Sequence, residues 1–388
     1  MDDENPGDLA QAAAWAPVYG VQSLTSTLRS LVAIGNFDGV HRGHQVVLRA
    51  AAERARERGL AAYVLSFDPH PAEVLAGVQV ERLSSVERKA NLMSQVSPQL
   101  RLIVEPFTQT LADNSPEQFV RDFLVARLRV AHVIVGENFR FGKGRAGDLA
   151  TLRALGQQYG FEAEAESLLG SDGASHNASA PISSSRVRRA IKAGDLQEAT
   201  ELLGRPHALT GSVVTGAQRG RTIGFPTANL GDVVEVLPPY GVYACLVDDL
   251  SDGEPGCALG TAVTNIGVRP TLAEPDPAPT VEAHLLDLAP GRREQRHSAA
   301  GRREPQQRAP GHLDQAGNTP GFSADLYGRP LRLHLIERLR GEHKFAGLDQ
   351  LKAQIALDVA QARRCLQRQQ SLSVIWPRSW LDVYALAD

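Results

Sequence analysis

His41-Arg42-Gly43-His44 sets two imidazoles three positions apart, the spacing that puts side chains on one face of a helix. Gly43 carries no side chain to block a ligand's approach to the backbone. At a helix start, free N–H groups and imidazole N–H groups would converge on one anion, which the helix dipole favours by roughly 0.3–1 kcal/mol. Such a site suits nucleotidyl transfer. The acceptor phosphate is already an ionised nucleophile, so the task is to stabilise charge growing on the α-phosphate and the departing pyrophosphate. A metal reading is weaker, because the two histidines lack a third ligand at an evident spacing. Ile182-Ser183-Ser184-Ser185-Arg186-Val187-Arg188 opens another helix with hydroxyls at the cap and Arg188 one turn later, either a second anion grip or an ordinary Ser-capped helix; together with the paired histidines it favours a nucleotide site.

The second half of the chain carries a different set. Gly211 to Gly224 is glycine-rich with Arg219 and Arg221, a loop suited to phosphates. Thr227 and Asn229 flank Ala228, so both can point to one side and offer hard oxygen ligands to magnesium; equally, they could be satisfied polar side chains of a turn. In Thr280-Val281-Glu282-Ala283-His284-Leu285, alternation puts Val281, Ala283 and Leu285 on the core face and Glu282 with His284 opposite. A carboxylate there could take the proton of a hydroxyl attacking a γ-phosphate, although a lone strand Glu is also an ordinary solvated residue. Gly142-Lys143-Gly144-Arg145-Ala146-Gly147 matches GxGxxG, with Glu166 beyond it. A polar-aromatic stretch separates it from the preceding strand, which reads against a dinucleotide fold.

The elements that would hold these residues fall into two patterns. Leu31–Gly35 and Leu60–Phe67 read as buried strands, with a helix over 44–59 between them; Asp68-Pro69-His70-Pro71 breaks the second strand at its carboxyl end. Helical stretches at 84–97 and 115–128 and apolar segments at 100–104 and 131–135 continue the alternation, which predicts a parallel sheet covered on both faces. A helix over 184–203 ends at Gly204. Beyond it come short β-rich runs at 209–214, 241–247, 258–264, 280–286 and 331–336, and a closing helix at 347–370. These predict a small antiparallel barrel. Residues 1–30 read as a leader with one short edge strand. Residues 289–322, arginine-rich and nearly without apolar side chains, read as a disordered insertion. Residues 371–388 form a tail of unassigned role.

Composition bounds the partners. The chain has 388 residues, 41 Lys+Arg against 44 Asp+Glu and three cysteines without CxxC spacing. This gives no global attraction to nucleic acid or anionic membrane and no disulfide framework. The acidic start and the lack of a long apolar run predict a cytoplasmic protein without a membrane segment.

Four motifs, Gly35-Asn36-Phe37-Asp38-Gly39-Val40-His41-Arg42-Gly43-His44, Phe67-Asp68-Pro69-His70-Pro71, Gly136-Glu137-Asn138-Phe139-Arg140-Phe141-Gly142 and Ile182-Ser183-Ser184-Ser185, occur in one order. Together they resemble the N-terminal module of bacterial bifunctional riboflavin kinase/FMN adenylyltransferase, also called FAD synthetase. Gly224 to Asn229, Pro239 to Tyr243, Asn265 to Thr271, Val281 to Asp287, Asp325 to Gly328 and Arg338 to Phe345 resemble its riboflavin kinase module. The resemblance implies an α/β nucleotidyltransferase domain with a parallel sheet of HxGH type over 31–204. It also implies a small antiparallel β-barrel kinase domain with a C-terminal helix over 207–370. Riboflavin would be phosphorylated to FMN, and FMN adenylylated to FAD with release of pyrophosphate.

By the same resemblance, His41 and His44 stabilise the ATP phosphates, and Asn36, Gly43, Ser184, Ser185 and Arg188 bind them. Asp68 and Asn138 line the flavin pocket. Gly224, Thr227 and Asn229 bind ATP with Mg2+ on Thr227 and Asn229, Glu282 is the base, and Arg340, Glu342 and Phe345 lie near the flavin. Riboflavin, FMN and ATP are the expected partners, with weak self-association left open. Two departures stand out: Thr215 where the family usually has His, and the 289–322 insertion directly after the strand carrying Glu282. The alternatives to the two-step enzyme are an adenylyltransferase with an impaired kinase half and a non-catalytic flavin-binding protein.

Overall fold

The computed structural model describes residues 16–24, 28–166, 181–216, 225, 227–268, 279–288 and 326–371. The first fifteen leader residues, the 289–322 insertion, Gly224 and the tail beyond 371 lie outside them. Contacts divide the chain into two units, residues 1–184 and 185–388.

The first unit is built on a six-stranded, all-parallel sheet with the order β1-β4-β3-β2-β5-β6. Its strands are β1 (Val18–Tyr19), β2 (Ser30–Ile34), β3 (Ala61–Asp68), β4 (Arg101–Pro106), β5 (Val130–Gly136) and β6 (Glu162–Glu166). The expected edge strand of the leader is β1. Helices α1 (Arg42–Glu57), α2 (Pro71–Ala76), α3 (Val86–Val96), α4 (Gln109–Ala112), α5 (Pro116–Phe119) and α6 (Leu149–Tyr159) make the connections. Because side chains alternate along a strand, each central strand feeds two cores. Leu31, Ala33, Val64, Leu102 and Val104 pack with α1 and α3 on one face. Val32, Ile34, Leu65, Ile103, Val133 and Val135 pack with Phe119, Leu124 and Leu152 on the other. The stretch expected as one helix over 115–128 is α5 running into a π-helical turn, Val120–Val125.

The order matters for function. β2 pairs with β3 on one side and β5 on the other, so the connections leaving the carboxyl ends of β2 and β5 diverge to opposite sides and open a crevice between them.

The second unit begins in the helix pair α7 (Ser184–Ala193) and α8 (Leu196–Leu203). The single helix expected over 184–203 is therefore two. Gly194, at φ 80°, leaves the right-handed region, and Asp195 then caps α8 by accepting from Glu198 N–H. The barrel closes in the order β10-β11-β8-β7-β12-β9. Its strands are β7 (Ala208–Val214), β8 (Ala228–Gly231), β9 (Gly241–Asp249), β10 (Cys257–Val268), β11 (Pro279–Leu288) and β12 (Pro330–Gly341). Leu209, Tyr243, Cys245, Val247, Ile266, Val281, Ala283 and Leu333 fill its interior. The alternate residues of β9, Val242, Ala244 and Leu246, face outward and are covered by Val359, Ala362 and Leu366 of the closing helix α9 (Leu348–Ser371).

Candidate functional site

In the first unit, β2 ends in a turn that few side chains tolerate. Phe37 has φ 48°, Gly39 φ 77° and Val40 φ 41°. A left-handed conformation costs an L-residue about 1–2 kcal/mol, and a β-branched one such as Val40 fares worst. Strain of this kind persists only where the surroundings over-determine it, and here they do. Asn36 C=O accepts from Ser66 Oγ at 3.1 Å, Asp38 C=O from Ser184 Oγ at 2.9 Å, and the Asp38 carboxylate from Leu83 N–H at 3.0 Å.

This turn delivers His41 to the N-cap of α1. Its Nδ1 accepts from the His44 backbone N–H at 3.2 Å, and the side chain is 1% exposed. With Nδ1 accepting, the proton of neutral His41 resides on Nε2. The two imidazoles stack at 3.5 Å between centroids, inclined by 18°, and Phe37 meets His44 edge-on at 5.1 Å. Burial, His41 and the cation of Lys89 hold the His44 pKa well below the usual imidazole value. His44 is thus a neutral donor at neutral pH, and its sealed Nδ1 has no partner among the described residues. Gly43 lies buried in the first turn between the histidines.

The other motifs of this unit meet at the same end of the sheet. Asn36 pairs with His70 Nε2 at 2.8 Å, while His70 Nδ1 accepts from Ala72 N–H and caps α2. Asp68, at the carboxyl end of β3, is bound by Arg82 at 2.8 Å. After β5, the rings of Phe139 and Phe141 stack at 5.4 Å and anchor their loop, leaving Asn138 exposed at its tip. Ser184 joins the turn through Asp38. Ser185, exposed, and Arg188, half-buried, belong to α7 of the second unit. The GxGxxG match is a 3-10 turn at Lys143–Arg145 and does not form the first turn after a strand.

In the second unit, register does the assembling. Glu282 on β11 stands directly opposite Asn229 on β8 and, on its other side, opposite Asn265 on β10. Directly opposed residues have Cβ atoms roughly 4.5–5.5 Å apart. Val281, Ala283, Ala228 and Leu230 point into the barrel, so this polar row lies on its outer wall. Thr227, half-buried, directly precedes β8. Phe225, 7% exposed, is held against His284 of β11 at 5.4 Å edge-on. Gly216 leaves room for the Asn229 amide, and Gly267 for the Glu342 carboxylate, which thereby reaches the row from the end of β12.

Arg340 is held in place from α9. Its Nε and Nη2 grip Asp358 of α9 at 2.8–3.1 Å, and its guanidinium lies 5.8 Å from the Phe345 ring centroid. Thr227 and Asn229 offer oxygen donors beside a carboxylate, a set that fits a hard cation such as magnesium. Sequence reasoning missed Asn265, Ser66, Arg82 and Lys89. Lys89 had a legible signal, since it lies on the apolar stripe of Val86, Ala90 and Met93.

Comparison with known proteins bears on the family of the whole chain. The FAD synthetase family model matches residues 24–181, and the riboflavin kinase model matches residues 203–300 and 312–366. The chain is 36% identical over 352 residues to the bifunctional riboflavin kinase/FMN adenylyltransferase of Escherichia coli K12, covering 89% of this chain and 96% of that one. It is 32% identical over 340 residues to the protein so named in Bacillus subtilis, covering 87% and 92%. A crystal structure described as a macrolide-efflux protein from Streptococcus pneumoniae matches 90% of this chain and 98% of that one. Its TM-score is 0.68 at 23% identity, a likeness of fold alone. Among the described residues, no helix is long and apolar enough to cross a membrane.

Proposed function

The chain belongs to the bifunctional riboflavin kinase/FMN adenylyltransferase family, and from that membership we propose how its two units divide the chemistry. The enzyme is a transferase that uses ATP and flavins as substrates, making FMN from riboflavin and FAD from FMN.

In adenylyl transfer, the FMN phosphate attacks the α-phosphorus of ATP, the bond to the bridging oxygen breaks, and pyrophosphate leaves. His41 and His44, at the N-terminus of α1, stabilise the charge on the phosphates; Asn36, Gly43, Ser184, Ser185 and Arg188 contribute binding. Asp68 and Asn138 border the flavin side of the crevice. Position and alignment supply the rest, because the nucleophile needs no base.

In riboflavin phosphorylation, Glu282 takes the proton of the 5′-hydroxyl as it attacks the γ-phosphorus and ADP departs. Gly224, Thr227 and Asn229 bind ATP; Thr227 and Asn229 would hold Mg2+, which neutralises phosphate charge when bound. Arg340, Glu342 and Phe345 border the flavin, and Asp358 holds Arg340 in place. The observation that carries this reading is the direct opposition of Glu282 and Asn229 across two strands far apart in sequence. Both reactions are assigned to the cytoplasm, with the domain division near residues 204–207.

A time course with the purified chain, riboflavin and Mg-ATP tests the assignment. FMN followed by FAD is expected. FAD formed only from added FMN would mean an impaired kinase half, and flavin binding without either product would leave a non-catalytic protein.

A further inference from the structure

Lys89 is 8% exposed, on the inward stripe of α3. Burying an ammonium is costly unless good partners surround it, and an apolar side chain would satisfy this stripe without that cost. Its Nζ donates to Ser66 Oγ at 3.2 Å. The carboxylates whose fields favour its charge, Asp38 and Asp68, are already bound, by Leu83 N–H and by Arg82. Burial lowers its pKa, and Arg82 adds to that. A lysine so placed weakens the fold unless its charge is used.

The geometry shows where the charge acts. An ammonium only donates, so Ser66 Oγ must receive from Lys89 and give its own proton onward, to Asn36 C=O at 3.1 Å. A charged head polarises such a chain and strengthens the next bond in it. The bond ends on the first residue of the turn whose φ values at Phe37, Gly39 and Val40 are left-handed, and that turn delivers both histidines.

We propose that Lys89 is a positioning residue for adenylyl transfer, holding through Ser66 the strained turn that presents His41 and His44. This rests on the reading of the first unit as the adenylyltransferase.

The test compares Lys89→Met, Lys89→Arg and Ser66→Ala in the full chain, with FMN and Mg-ATP, alongside riboflavin phosphorylation and thermal unfolding. Lys89→Met is expected to lower kcat for FAD formation roughly 10- to 100-fold, the range a small misplacement of reacting groups costs, with KM for FMN little changed. Its Tm should be equal to or above that of the wild type, and kinase activity should be unaffected. Lys89→Arg should recover most of the rate, and Ser66→Ala should fall between. A Lys89→Met rate within twofold of wild type overturns the proposal, as does a rate loss accompanied by a lowered Tm that Lys89→Arg does not restore. A wild-type chain that makes no FAD from FMN overturns the underlying reading as well, which separates the two failures.

Discussion

The two units build phosphate chemistry from opposite structural resources. In the parallel sheet, the candidate residues sit beyond the ends of strands, on a strained turn and a helix N-terminus, and hydrogen bonds from Ser66, Leu83 and Ser184 hold that turn. In the barrel, they sit on the strands themselves, and antiparallel register opposes Glu282 to Asn229 and Asn265. The first arrangement concentrates local sequence, as His41 and His44 fall within one turn of helix. The second is non-local. A loop-borne site is therefore sensitive to whatever pins the loop, whereas a strand-borne site is sensitive to register and to what clamps the barrel's edges.

Breaking each site separately sharpens this contrast. Glu282→Gln should cost riboflavin phosphorylation about 10²–10⁴-fold, the worth of a positioned base, while FAD formation from supplied FMN stays unchanged in a product assay. His44→Ala should do the reverse. Loss of a preorganised donor to developing charge is worth about 10²–10³ in kcat, so adenylylation falls by that order and phosphorylation of riboflavin persists. Asp358→Ala removes the carboxylate that grips Arg340 from α9. Denaturant unfolding of the barrel should show a loss of about 1.5–3 kcal/mol, the value of hydrogen bonds to charged groups, with the first unit's transition unmoved.

The smallest effect is pH-dependent. The folded His44 pKa lies below its unfolded value of about 6.5, so the unfolded state binds more protons as pH falls through the window beneath that value. His44 then destabilises the fold progressively in acid. In thermal melts, the wild-type Tm should fall relative to that of His44→Ala as pH drops below about 6.5.

Much of this could be read along the chain. The strand-helix alternation, the barrel runs and the residues of both motif sets are local signals, because burial periodicity and turn chemistry are written in neighbouring residues. Gly194-Asp195 was a break signal that a continuous helix over 184–203 passed over. The inward place of Lys89 was legible in the stripe of Val86, Ala90 and Met93, but its bond to Ser66 was not, and nothing near Arg340 in the chain pointed to Asp358 as its partner. Asn265 lay within a recognised motif, yet nothing along the chain said it would stand beside Glu282.

The sequence by itself determined the two architectures, the paired histidines and the identity of the chemical groups, since these depend on residue type and short-range spacing. Only the tertiary structure decided which of those groups are engaged and by what. Strand register opposed Glu282 to Asn229, the switch in sheet order opened the crevice beside β2, and close packing joined Lys89 to the turn through Ser66. Contacts between residues far apart in the chain are set by how whole elements pack, and no local pattern specifies them.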